Sequence, residues 1–181
     1  AITDDLHPCQ VLADAQTILE HKGRLDNLKV AFVGDGNNMF ASWANLATRY
    51  SFDLNLVCPE GYELKGDAHN YAQANALGNY SITNDIQAGL KDADVIYTDV
   101  WASMGMEEEY EKRLAAFMPY QVNEAMMAIA KDDAIFMHCL PAHRGEEVTH
   151  AVIESKQSVV FDEAENRLHA QKAVMVQLMK S

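Results

Sequence analysis

Lys29-Val30-Ala31-Phe32-Val33-Gly34-Asp35-Gly36-Asn37-Asn38 is the stretch from which the fold is read. An unbroken apolar run closed by two glycines, and followed by an amphipathic stretch, describes a strand buried on both faces that turns sharply into a helix. Outward from it the pattern repeats. Short apolar runs at residues 53–58, 80–83, 95–98, 135–138 and 159–161 alternate with stretches of helical length at 38–49, 67–76, 86–91, 107–117, 123–130 and 147–155. Such alternation is what a parallel sheet with crossover helices requires. The expected fold is therefore α/β: a doubly wound, mostly parallel sheet of about five strands with helices on both faces. Flanking helices are expected at 8–21 and 167–179. Pro8 suits the first turn of the leading helix and Gly23 its C-terminal stop. Neither flanking helix has a strand to cross over to, so both are expected to pack against a partner domain.

The chain has 181 residues, 49% of them hydrophobic, enough for one sizeable core. With no repeat and no Pro/Gly/Ser linker, residues 1–181 read as a single domain. Its 27 acidic and 14 basic residues give a formal charge of -13, which repels polyphosphate and argues against nonspecific nucleic-acid binding. There is no apolar run long enough for a membrane span and no basic, apolar start typical of a signal peptide. Cys9, Cys58 and Cys139 are odd in number and widely spaced, which suggests no disulfide framework and points to a reducing cytoplasm. The chain opens on Ala1 with no Met, and this reads as a cut point within a longer protein.

Ligands of open α/β sheets bind beyond the C-terminal ends of the strands, so the residues there are the candidates. After the first strand, Gly34-Asp35-Gly36-Asn37-Asn38-Met39 partly matches a dinucleotide fingerprint on a Rossmann-like sheet, with Glu60 as a stand-in for the ribose-binding acid. Met39 occupies the place of the third glycine and counts against it. The other readings are a purely structural turn or, through Asn37 and Asn38, a site for a zwitterionic amine. After the fourth strand, Asp99-Val100-Trp101-Ala102-Ser103-Met104-Gly105 offers an acid for a substrate ammonium and a small-residue loop able to close. Asp99 as a mere cap is the plainer reading. After the fifth strand, His138-Cys139-Leu140-Pro141-Ala142-His143-Arg144-Gly145 admits a metal site, a thiol nucleophile or a polar pocket. No second pair of ligands accompanies it, and His138 should point away from Cys139 if the strand continues, so the pocket reading is favoured. His143 and Arg144 read equally well as a surface pair. Arg167, expected at the start of the last helix, could grip a carboxylate or phosphate or simply neutralise the acids around it. His7 and Gln10, three apart on one helical face, could jointly bind a carbonyl-type ligand.

Taken in order and spacing, His7-Pro8-Cys9-Gln10, Gly34-Asp35-Gly36-Asn37-Asn38, Asp99-Val100-Trp101-Ala102-Ser103-Met104-Gly105, His138-Cys139-Leu140-Pro141 and Glu163-Ala164-Glu165-Asn166-Arg167 strongly resemble the ornithine carbamoyltransferases across essentially the whole chain. The His-Pro-x-Gln segment is shared with aspartate carbamoyltransferases. Ser-Met-Gly and His-Cys-Leu-Pro point to the ornithine branch. The resemblance implies that Asn38, Asp99, Ser103 and Met104 hold ornithine. It implies that His7 and Gln10 polarise the carbamoyl carbonyl, and that Pro8, Cys9, Cys139, Leu140 and Arg167 complete the carbamoyl phosphate side. It implies no metal and no organic cofactor. The family's Ser-x-Thr-Arg-Thr-type phosphate loop belongs to its N-terminal domain and has no counterpart in this sequence; Thr48-Arg49, inside an expected helix, only imitates it. The chain is thus expected to be the ornithine-binding half of such an enzyme, inactive without the carbamoyl phosphate domain, and a homotrimer when whole. A stand-alone binding or regulatory module and a nicotinamide-dependent oxidoreductase domain are the competing readings.

Overall fold

Alternation along each strand sets the layers, because successive side chains point to opposite faces of a sheet. In the computed structural model, which describes residues 3–102 and 109–180, the strands are β1 (Lys29–Val33), β2 (Asp53–Val57), β3 (Tyr80–Thr83), β4 (Val95–Thr98) and β5 (Ile135–His138). They form one parallel sheet in the order β3-β2-β1-β4-β5. Val30 and Phe32 of β1, Tyr97 of β4 and Met137 of β5 join one core with Ile18, Phe40 and Trp43. These last three belong to α1 (Pro8–Lys22) and α2 (Asn38–Ala47), which cover that face. Ala31, Val33, Ile96 and Phe136 face a second core with Leu90 of α4 (Ile86–Leu90), Met126 of α6 (Glu124–Met127) and Val152 of α7 (His150–Ile153). Between these lie α3 (Gly66–Asn75), α5 (Tyr110–Phe117) and a single 3-10 turn at Met118–Tyr120. The chain winds outward from β1 through β2 to β3, then returns past β1 to β4. The strand order therefore reverses between β1 and β4, where such sheets open a crevice.

One expectation is corrected. The run at 159–161 is not a strand: only Ser158 makes an isolated bridge to Phe136, and α8 (Val160–Met179) begins at once. Asp162 and Glu163 in its first turn favour a helix start, and β-branched Val159 and Val160 carry too little local preference to oppose it. Arg167 consequently lies seven residues into the helix, about 10 Å from its start. The flanking helices leave Leu12 and Leu19 of α1 and Phe161 and Leu168 of α8 exposed, apolar surface of the kind a partner domain would cover. They pack on each other, through Asn166 Nδ2 to Thr17 Oγ1 (3.0 Å) and His21 Nε2 to Asp162 (2.8 Å). Gly23, at φ 71, closes α1 as expected, its N–H donating to Leu19 O. No helix among the described residues is long and apolar enough to cross a membrane.

Candidate functional site at the strand-order reversal

The crevice is built by the ends of β1 and β4, tied together where Thr98 Oγ1 donates to Val33 O (2.6 Å). Gly36 follows immediately and touches the 63–64 backbone so closely that a Cβ there would lie 2.1 Å from Leu64 N. No other residue fits that approach. The turn delivers Asn37 to the N-cap of α2, where its Oδ1 accepts from Met39 N (3.0 Å) and Phe40 N (3.1 Å). Those are the donors a helix start offers to an anion, and Asn37 already occupies them. This counts against the dinucleotide reading. The other end of the same amide donates to Asp99 Oδ2 (2.8 Å). Asn38 points elsewhere: its Nδ2 donates to Thr3 O (2.7 Å), beside a cleft of about 790 Å³ lined by Gly36, Asn37, Leu64 and Lys65.

Asp99 is the junction of the site. Its Oδ1 accepts from its neighbour's Val100 N (2.8 Å) and from Cys139 Sγ (3.0 Å). Burial, and then the Asp99 charge, push the Cys139 thiol well above its ordinary value. It is therefore a protonated donor to Asp99, not a thiolate nucleophile or soft metal ligand. His138 turns the other way, as strand alternation demands. Its Nδ1 accepts from Leu140 N (2.8 Å), which leaves Nε2 to donate to Glu147 Oε1 (3.1 Å), with both side chains fully buried. Leu140, at φ 54, makes the bend that allows this. Arg144 pairs with Glu154 at the surface (2.7 Å), the plainer of its two readings. Among the described residues, His143, Glu146 and Glu147 form the one cluster tight enough for a metal ion, although Glu147 Oε1 is already held by His138 and by His143 N (2.6 Å).

The third group comes from α1 and α8. His7 precedes the helix at its N-cap, its backbone N–H donating to Ser42 Oγ (2.7 Å), and Pro8 and Cys9 form the first turn. Burial and the Arg167 charge lower the His7 imidazole pKa, with Asp99 opposing them. Arg167 donates through Nη1 to Gln10 Oε1 (2.6 Å). His7 Nδ1 and Arg167 Nε are both buried and have no hydrogen-bond partner among the described residues. Gln10 is fully buried and its Nε2 donates to both Asp14 Oδ1 (2.8 Å) and Glu163 Oε1 (3.0 Å). Both contacts of this amide nitrogen run to acids below it, and its Oε1 faces Arg167. Ser103 and Met104 lie outside the described residues.

His7, Gln10, Arg167, Asp99, Cys139 and Leu140 are thus brought to one end of the sheet, whereas Asn38 is bonded away from Asp99. Sequence reasoning missed Asn37 as the partner of Asp99 and Glu147 as the partner of His138. It also missed the Asp14 and Glu163 carboxyls under Gln10, although Asp14 lies four residues after Gln10 on the same helical face.

Comparison with known proteins places this arrangement in a family. Residues 26–178 match the family described as aspartate/ornithine carbamoyltransferase, Asp/Orn binding domain. The ornithine carbamoyltransferase of Geobacter metallireducens is 52% identical over 179 residues, covering 99% of this chain and 59% of that protein. That of Thermococcus kodakarensis is 55% identical over 181 residues, covering 98% and 58%. The solved structure of ornithine carbamoyltransferase from Pyrococcus furiosus superposes with a TM-score of 0.90 at 53% identity, covering 95% of this chain and 56% of that one. The chain therefore spans well under two thirds of the length of each of these relatives. A five-stranded sheet of matching topology, and a match over most of the sequence, show that the chain belongs to the aspartate/ornithine carbamoyltransferase family, as its Asp/Orn binding domain.

Proposed function

We propose that the chain is the ornithine-binding half of an ornithine carbamoyltransferase of arginine metabolism. The reaction is transfer of a carbamoyl group from carbamoyl phosphate to the δ-amine of ornithine, giving citrulline and phosphate. The observation that carries this reading is Asp99, a half-buried carboxylate at the strand-order reversal. It is oriented by Asn37 and Cys139, and among the described residues it has no cationic partner of its own. Such a carboxylate suits a substrate ammonium. Ser103 and Met104, with Asn37 or Asn38, complete the ornithine side in this reading. The names of the relatives support the choice of substrate, and the position of Asp99 supports its role.

In the step itself, the neutral δ-amine forms a C–N bond to the carbamoyl carbon. The tetrahedral intermediate then breaks its C–O bond, phosphate leaves with the bonding pair, and the nitrogen loses a proton. His7 and Arg167, each with an unpartnered buried nitrogen, are placed to stabilise the oxygens that gain charge. A preorganised donor of that kind contributes about 3 kcal/mol of barrier lowering. No residue here replaces a Ser-x-Thr-Arg-Thr phosphate loop, so a carbamoyl phosphate domain is the required partner, with a homotrimer as the complete assembly.

The test is ornithine binding by calorimetry beside a citrulline-forming assay on the same sample. The chain alone is expected to bind ornithine and form little or no citrulline, and Asp99→Ala should abolish the binding. Robust turnover by the chain alone would refute the need for a partner domain. Unchanged ornithine affinity in Asp99→Ala would refute the assignment of Asp99.

A further inference from the structure

Directly beneath Gln10 lie two carboxyl groups that the reaction does not use. Asp14 of α1 and Glu163 of α8 are both 0% exposed, and they sit close enough to share one donor. A single amide nitrogen, Gln10 Nε2, donates to both, at 2.8 and 3.0 Å. Glu163 also accepts from His138 N (2.9 Å) and from the Tyr97 hydroxyl (3.3 Å), whereas Asp14 Oδ2 is buried with no donor to it. No lysine, arginine or histidine among the described residues forms an ion pair with either. Two adjacent buried negative charges without a cation are not tolerated in a low-dielectric interior. Holding one proton relieves the pair of that cost.

We propose that Asp14 and Glu163 share one proton, and that this carboxyl pair is a positioning device that fixes the Gln10 amide and, through it, the Arg167 guanidinium. The mechanism is a matter of direction. Because both acceptors sit on one side of Gln10, its NH2 must face inward and its Oε1 is left to accept from Arg167 Nη1 at 2.6 Å. A free amide can flip; this one cannot without leaving both carboxyls short of a donor. Burial raises both acids, and the charge of Glu163 adds to the effect on Asp14. The charged and titratable groups around the pair are Tyr97 and Asp99 from β4 and its end, His138 and Cys139 from β5 and its end, and Arg167 from α8. Of these, Asp99 is the only other carboxylate. The significance of Arg167 for catalysis rests on the carbamoyltransferase reading above, but the shared proton does not.

Infrared difference spectroscopy of the chain in D2O detects the proton directly, as the C=O stretch of a carboxylic acid present at neutral pH, where ordinary Asp and Glu are ionised. The band is expected in the wild-type chain and is expected to be lost in Glu163→Gln and in Asp14→Asn, each of which mimics a protonated carboxyl and keeps the Gln10 contacts. If one variant fails to fold, loss of the band in the other suffices. A nitrogen-proton NMR titration of the Arg167 Nε–H group reads the positioning role: its resonance should shift with the same midpoint as the band and lose that shift in Glu163→Gln. No acid band at neutral pH, or one that survives both substitutions, overturns the shared proton. An acid band with an Arg167 resonance that ignores it overturns the positioning role. Neither result depends on ornithine or carbamoyl phosphate, so both are separable from failure of the functional reading.

Discussion

Arg113→Met is expected to destabilise the domain strongly and in a pH-dependent way. Arg113 of α5 is 6% exposed and reaches back across the crevice mouth. Its Nη2 pairs with the Asp35 carboxylate, its Nε donates to Trp101 O, and its guanidinium lies over the rings of Tyr62 (5.1 Å) and Phe117 (5.4 Å). It therefore clamps the loops after β1 and β4 to α5. Methionine keeps the packing against the rings and removes the charge, leaving Asp35, 19% exposed, without its partner. Breaking a buried pair on one side costs about 3–5 kcal/mol, and the partial exposure of Asp35 argues for the lower end. With a urea slope of about 2 kcal/mol per M, the unfolding midpoint should fall by about 1.5 M at neutral pH. Burial already raises Asp35 above its ordinary value in spite of Arg113, and removing the guanidinium raises it further. An acid raised in the folded state adds stability below its unfolded pKa and loses it as pH climbs through the folded value. The penalty should therefore shrink as the pH is lowered from neutral towards the ordinary carboxylate range. A midpoint shift below about 0.5 M, or one that does not change with pH, would show that solvent screens the pair and that Arg113 is not the clamp.

Gly36→Ala should displace the 61–64 loop or the turn, because its Cβ would meet the backbone at 2.1 Å, and ornithine affinity should drop with little change in the sheet; calorimetry beside circular dichroism checks both. Asn37→Ala removes the cap of α2 and the donor to Asp99, costing about 1 kcal/mol of stability. Calorimetric melting should record about 2–4 °C, and an unchanged transition would mean that the cap contributes nothing. Iodoacetamide at mildly alkaline pH should leave Cys139 unmodified in peptide mass spectra, since its thiol is held protonated by burial and Asp99. Asp99→Asn should speed that alkylation by lowering the thiol pKa, and an unchanged rate would refute the coupling.

The layers were legible because β-sheet periodicity is local: Val30 to Val33 and Ile135 to His138 announce two-sided burial from their own residues. The ends of those strands are legible as candidate positions for the same reason: Asp99 follows β4 and Cys139 follows β5 directly in the chain. The start of α8 was not. Val159, Val160 and Phe161 favour a strand locally, and only the place they reach at the sheet edge, with Asp162 and Glu163 following, makes them the opening of a helix. Likewise, nothing in the spacing of 8–21 and 160–179 says that the two helices pack on each other.

By itself the sequence determined the α/β alternation, the strand-end motifs and the family those motifs resemble, because each depends on residues close together in the chain. Only the tertiary structure decided which of two neighbouring asparagines meets Asp99, that His138 answers to Glu147 and not to Cys139, and that Gln10 is locked by acids from two helices. Those are choices of direction between groups up to 153 residues apart, and a side chain's direction is set by what surrounds it.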